Sequence, residues 1–270
     1  MAGQQFRQFP VYFTKQHIKM LIQRLKLFPV ILLAGVLFVA ACSKDEDPQN
    51  NPPAAVLPGI QLTHLVDSNP IEKDTIIYQN EFGNLYRVAT LKYFISHLEL
   101  INESGVAYEV AEVHYVDAFD NATTLFSAEA AIPEGNYSGI RFIFGLSDDL
   151  NITGAFPNPP ENNMEWPAPM GGGYHYMKLE GRIDSAGTMN SFQAHTGPLM
   201  GNPYFFQVTI NQPFELLDGN LINIEMEINN WWRSPNLLDL NTVTGIMGNA
   251  DMQQRLMENG ADVFTRFSVE

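Results

Sequence analysis

Beyond its leader, this sequence predicts an all-β chain: an antiparallel β-sandwich of Greek-key, immunoglobulin-like type with one short C-terminal helix. Three observations carry that expectation. Apolar and polar residues alternate with period two in run after run, clusters of Gly, Pro, Asn and Asp separate the runs, and a helical period shows only once, near the end.

The first residues concern address. Leu27 to Ala41 is an uncharged apolar run, preceded by Arg24 and Lys26 and followed by Cys42. It has the length of a secretory signal and falls short of the ~20 residues that span a bilayer. Val39-Ala40-Ala41-Cys42 fits a lipobox, in which small residues precede a cysteine that is acylated and becomes the new N-terminus. Residues 20–41 are thus read as a lipoprotein signal peptide, with Met20 as the true start and residues 1–19 as a gene-model extension. Residues 42–56 are the acylated cysteine and a flexible tether. The acidic run Ser43-Lys44-Asp45-Glu46-Asp47 resembles the export signal that sends lipoproteins of Bacteroidetes to the cell surface. The expectation is an outer-membrane lipoprotein, surface-exposed or facing the periplasm, held by lipid without spanning the membrane.

Cys42 is the only cysteine. Once lipidated it leaves residues 57–270 with neither disulfide nor thiolate, so a metal there must be bound by histidine, methionine, carboxylate, a tryptophan-derived group or water. Six of the 15 basic residues (Arg7, Lys15, Lys19, Arg24, Lys26 and Lys44) precede Asp45, which leaves nine against 30 acidic ones. Such a surface repels nucleic acid and anionic lipid.

Residues 57–270 suit one large β domain. Ile60, Leu62, His64 and Val66 share the apolar face of an opening strand. The run from Tyr86 to Ile101 puts Phe94, Ser96, Leu98 and Leu100 on one face and Ile95, His97 and Glu99 on the other, and Asn102 to Gly105 turns it into a strand over Ala107 to Asp117. Ser138 to Phe144 is the next strand, and a proline-rich loop over Asn151 to Asn163 delivers the chain to Trp166. Further strands are expected at Tyr174 to Glu180, Ser191 to Thr196, Tyr204 to Ile210 and Asn220 to Ile228. Trp231 and Trp232, as neighbours on a strand, point to opposite faces. Met252, Leu256 and Met257 give the helix, with Asn249 as N-cap and Gly260 closing it.

The stretch from Met164 to Gly181 concentrates the chemistry. It joins Trp166 to the turn Gly171-Gly172-Gly173 and then to a strand whose alternation places His175, Met177 and Leu179 on one face and Tyr174, Tyr176, Lys178 and Glu180 on the other. A buried imidazole at His175 needs a hydrogen-bond partner or a metal. His64 and His195 lie on other strands that a sandwich can bring near it. Imidazole suits copper, zinc, nickel and iron, and the methionines Met164, Met170 and Met177 tilt the choice toward copper, although methionine is also a common filler of cores. The sequence holds no H-E-x-x-H, no G-x-S-x-G, no Walker loop and no dinucleotide fingerprint. Glu165 and Glu180 as a glycosidase pair are no better than chance in so acidic a chain. The expectation is a protein that is not an enzyme.

Several segments carry a resemblance to a known family: Leu91 to Leu100, Gly135 to Phe142, Met164-Glu165-Trp166, Gly173 to Gly181 and His195-Thr196-Gly197, with Asn230 to Pro235 and Glu258 to Phe264 in the tail. Together and in that order they resemble the methanobactin-associated, MbnP-like copper-binding proteins, in the form carried by Bacteroidetes as lipoproteins. The resemblance implies a β-sandwich that binds copper through histidines, with His175, His195 and His64 as candidate ligands and Met164 and Met177 near the metal. In relatives a tryptophan beside the metal is oxidised to kynurenine by a partner dihaem cytochrome c peroxidase-like enzyme, and here Trp166 holds that place. The chain departs from the methanotroph pattern where Pro167 and the three glycines replace a second tryptophan and a shorter link. The competing expectation is a metal-free surface β-sandwich module in which Tyr174, Tyr176 and Trp166 stack on a glycan or a protein partner.

Overall fold

The computed structural model describes residues 53–75, 78–243 and 245–270. The leader, Cys42 and most of the tether lie outside them. In chain order, β1 (Ala55–Val56), β2 (Gly59–Val66), β3 (Asn69–Pro70), β4 (Tyr78–Gln79), β5 (Leu85–Asn102) and β6 (Ala107–Asp117) lead to the one-turn helix α1 (Asn121–Thr124). Then come β7 (Leu125–Ser127), β8 (Ile132–Pro133) and β9 (Gly135–Phe144), followed after a long connection by β10 (Met177–Ser185), β11 (Thr188–Thr196), β12 (Phe206–Ile210), β13 (Phe214–Leu216) and β14 (Leu221–Glu227). The helix α2 (Ala250–Asn259) and β15 (Arg266–Val269) close the chain.

Eight strands form the larger sheet, in the order β11-β10-β5-β9-β12 with β4 and β6 also on β5 and β13 on β9. Five form the smaller one, β15-β14-β2-β3 with β7 on β2. All pairings are antiparallel except that of β2 with β14. The two sheets enclose a core rich in rings, among them Tyr86, Tyr93, Phe142, Phe144 and Phe192, facing Ile60, Leu62, Ile222 and Ile224.

β5 does not keep one face throughout. His97 sits at φ 50°, and the register with β6 slips between Leu98 and Glu99. This β-bulge exchanges the faces. Before it Leu91, Tyr93 and Ile95 point into the main core, and after it Leu98 and Leu100 do. Phe94 therefore faces outward, away from Leu98 and Leu100, contrary to simple alternation. Its ring seeds a second cluster with Tyr115, Leu146, Met164, Tyr174, Tyr176, Leu199 and Tyr204. That cluster buries the outer face of the larger sheet beneath the β9–β10 connection.

The two tryptophans also differ from expectation. Ile228–Trp232 is a 3₁₀ turn, not a strand end, so both rings enter the main core. Trp231 packs on Phe144 with centroids 5.1 Å apart, and Trp232 packs on Phe192 at 5.8 Å. α2 forms where the sequence places it, with the Asn249 side chain accepting from the Met252 N–H. Gly181 marks a slip in the β10–β5 register. A Cβ there would meet the Arg87 carbonyl oxygen and lie 2.6 Å from Phe192 Cε1. Gly181→Ala is expected to destabilise the fold by about 3 kcal/mol, read by denaturant unfolding, because neither a paired backbone nor a core ring can give way cheaply.

Candidate metal centre

The centre is built from the chain that covers the outer face of the larger sheet. Met164 to Trp166 runs antiparallel to Gly173 to His175: the Trp166 N–H donates to the Gly173 carbonyl at 2.8 Å and the His175 N–H to the Met164 carbonyl at 2.7 Å. The reversal between them needs its glycines. Gly172 and Gly173 sit at φ 73° and 84°, and a Cβ on them would lie 2.6 Å from Thr153 Oγ1 and 2.5 Å from Asn151 Oδ1. Those same oxygens accept the Gly173 and Tyr174 N–H groups, each at 2.7 Å.

Regular β10 begins only at Met177. Strict alternation would put His175 on the core face with Met177, but the break at residues 174–176 turns it the other way. His195 pairs with Lys178 across the β10–β11 hairpin, so it shares the outer face with Lys178 and Glu180. The rings of His175 and His195 meet there edge-on, with centroids 5.2 Å apart and planes at 85°. Trp166 closes the other side of His175, its centroid 4.8 Å away. Gly197 makes room for that indole, since a Cβ would lie 2.5 Å from Trp166 Cε3.

Each imidazole has one nitrogen engaged. His175 Nδ1 lies 2.9 Å from the Met164 carbonyl, which can only accept, so Nδ1 carries the proton and Nε2 keeps its lone pair. His195 Nε2 lies 2.7 Å from Glu180 Oε1. The hydrogen bond from His195 is the chief reason the Glu180 carboxyl titrates below its usual range. The ionised carboxylate accepts, so in the neutral tautomer that donates to it the lone pair of His195 falls on Nδ1. Burial pushes the His175 pKa down to about 3, with the Lys178 charge adding to the effect and the Met164 carbonyl opposing it. This ring stays neutral at any physiological pH.

Metal-bound histidines usually donate the second ring N–H to a carbonyl or carboxylate, which fixes the tautomer. The Met164 and Glu180 contacts supply that support. Two imidazoles sharing one tetrahedral ion at bond lengths of ~2.0–2.1 Å have centroids about 5 Å apart. The 5.2 Å centroid separation of His175 and His195 matches that spacing. Among the described residues no group of three or more His, Cys, Asp or Glu could hold a metal.

Other residues proposed from sequence lie elsewhere. His64 is buried in the inter-sheet core with its Nε2 2.9 Å from the Tyr93 hydroxyl. Tyr93 pairs with Met177 on the inner face of the larger sheet, so the sheet itself separates His64 from the histidine pair. The Met177 side chain is in that same main core. Met164 joins the centre through its carbonyl, while its side chain packs in the outer cluster. Tyr174, Tyr176 and Trp166 are buried, at 0%, 0% and 2% exposure, and present no platform for stacking a glycan. Sequence reasoning did not find Glu180 as a partner of His195, nor Gln253, whose buried side chain bonds both the His195 carbonyl and the Gly197 N–H.

The MbnP family model matches residues 58–249. The chain belongs to the MbnP family. Its fold is similar to that of MbnP from Methylosinus trichosporium, at 14% identity and a TM-score of 0.56, over 80% of this chain and 98% of that one. At this identity the likeness shows the fold alone. No curated protein matches the chain. The matched span ends before α2, so Gln253 falls outside it.

Proposed function

We propose that this protein is a lipid-anchored envelope protein that holds one copper ion between His175 and His195, for copper acquisition or handling rather than catalysis. The observation that supports this most is the pair of rings at 5.2 Å, each with one nitrogen hydrogen-bonded to an oxygen. Membership in the MbnP family favours copper over the other metals that imidazole accepts. Copper bound there would supply a redox-active ion to a partner or store it, with water or a sulfur completing its ligands. His195, 13% exposed at its side chain, gives the ion a way in.

In this reading the chain is tethered to the outer membrane by acylated Cys42. Trp166, in contact with His175, is the residue that a dihaem cytochrome c peroxidase-like partner would oxidise to kynurenine. Titration of the purified protein with Cu(I) against a competing chelator tests the proposal. One tightly held ion per chain is expected, and absence of uptake would refute it. The mass of the Trp166 peptide from native envelopes reads the modification. The support of His195 is tested separately: Glu180→Ala frees the tautomer and should weaken copper binding by about 10–100-fold, in the same competition assay.

A further inference from the structure

We infer that Gln253, on the C-terminal helix, is a positioning residue for the metal centre. β11 is the outermost strand of the larger sheet, so its outer edge lacks a neighbour just where His195 stands. Gln253 takes the place of one. Its Nε2 donates to the His195 carbonyl at 2.9 Å and its Oε1 accepts from the Gly197 N–H at 3.2 Å. In an extended strand the carbonyl of one residue and the N–H of the second residue along point to the same side, and a parallel neighbour bonds both through a single residue. The Gln253 carboxamide reproduces that peptide link with a side chain.

The clamp spans the two positions that shape the centre. At one end is His195, and at the other is Gly197, over which the Trp166 indole lies. Gln253 is wholly buried, and a third bond, from Nε2 to the Ile246 carbonyl at 3.2 Å, ties it to the turn before α2. The helix thereby fixes how far His195 and Trp166 stand from His175. Asn259, one end of α2 away and equally buried, does comparable work elsewhere: it bonds the carbonyls of Trp231 and Asn236 and touches nothing in the centre.

This inference rests on the copper reading above, and its test separates the two. Wild type, Gln253→Leu, Gln253→Glu and Asn259→Leu are compared by thermal unfolding, by Cu(II) electron paramagnetic resonance with competition affinity, and, without metal, by the imidazole ¹H–¹⁵N spectrum. Gln253→Leu should weaken copper binding by about 10-fold, the lower end of what outer-sphere partners cost, change the copper spectrum and shift the His195 ring signals. Asn259→Leu should lower the melting temperature while leaving all three site readouts as in wild type. Gln253→Glu keeps the acceptor for Gly197 and loses the donor, so it should fall between, and it serves where the leucine variant does not fold. Unaltered His195 signals in both Gln253 variants, or equal shifts in Asn259→Leu, would overturn the inference. Failure of wild type to take up copper would instead sink the copper reading, and the metal-free ring signals would still decide the role of Gln253.

Discussion

The double variant His175→Ala/His195→Ala is expected to lose tight copper binding, by more than the ~100-fold that removal of an outer-sphere partner costs. Both imidazoles of the pair, 5.2 Å apart, vanish together. The fold should persist. The Met164 carbonyl keeps its bond from the backbone N–H of residue 175 at 2.7 Å, and His195 lies on the outer face of an edge hairpin. His64→Ala is the informative control. It removes a buried ring on the far side of the larger sheet, so it should weaken the fold and leave copper affinity unchanged. Tight Cu(I) binding surviving in the double variant, or lost in His64→Ala at a temperature where that variant is folded, would defeat the assignment.

The sandwich was readable because two-residue alternation survives translation into sheets, and the cap of α2 was readable because Asn249 offers a local acceptor. Where alternation misled, a local irregularity was the cause. The bulge at His97 exchanged the faces of β5, and the bend before Met177 turned His175 away from the core. Neither position carries the glycine or proline that would announce such a break. Trp231 and Trp232 both enter the core for the same reason, since a 3₁₀ turn does not alternate.

The meeting of His175 with His195 was partly legible. Ala186 and Gly187, both at positive φ, form a two-residue hairpin turn, and that turn sets His195 opposite Lys178 and diagonal to Glu180. Counting outward from the turn would have found the Glu180 contact. Gln253 was out of reach, because its partners are backbone atoms 56 and 58 residues away and a backbone carries no mark in the sequence.

Acid should destabilise the metal-free protein well above the range where carboxylates titrate. His64 and His175 are both held near pKa 3, chiefly by burial, against 6.5 for a free imidazole. Between those values the unfolded chain binds protons that the folded chain refuses. The two rings therefore contribute their full stability above pH 6.5 and lose it progressively as the pH falls toward 3. One pH unit is worth about 1.4 kcal/mol for each ring, so a fall from pH 6.5 to 4.5 removes on the order of 5 kcal/mol for the pair. That is comparable to the whole stability of a small domain, about 5–15 kcal/mol. Glu180 is also shifted downward, but from 4.5, so its contribution is lost only below that pH, which leaves the window from 6.5 to 4.5 to the histidines. Denaturant midpoints measured across it should fall steeply in the wild type, with His64→Asn and His175→Asn each removing a large share of the slope and His114, also lowered by burial, keeping the remainder. A flat profile through that window, or a slope indifferent to both substitutions, would mean that neither ring is shut away from water as the packing around Tyr93 and Trp166 requires.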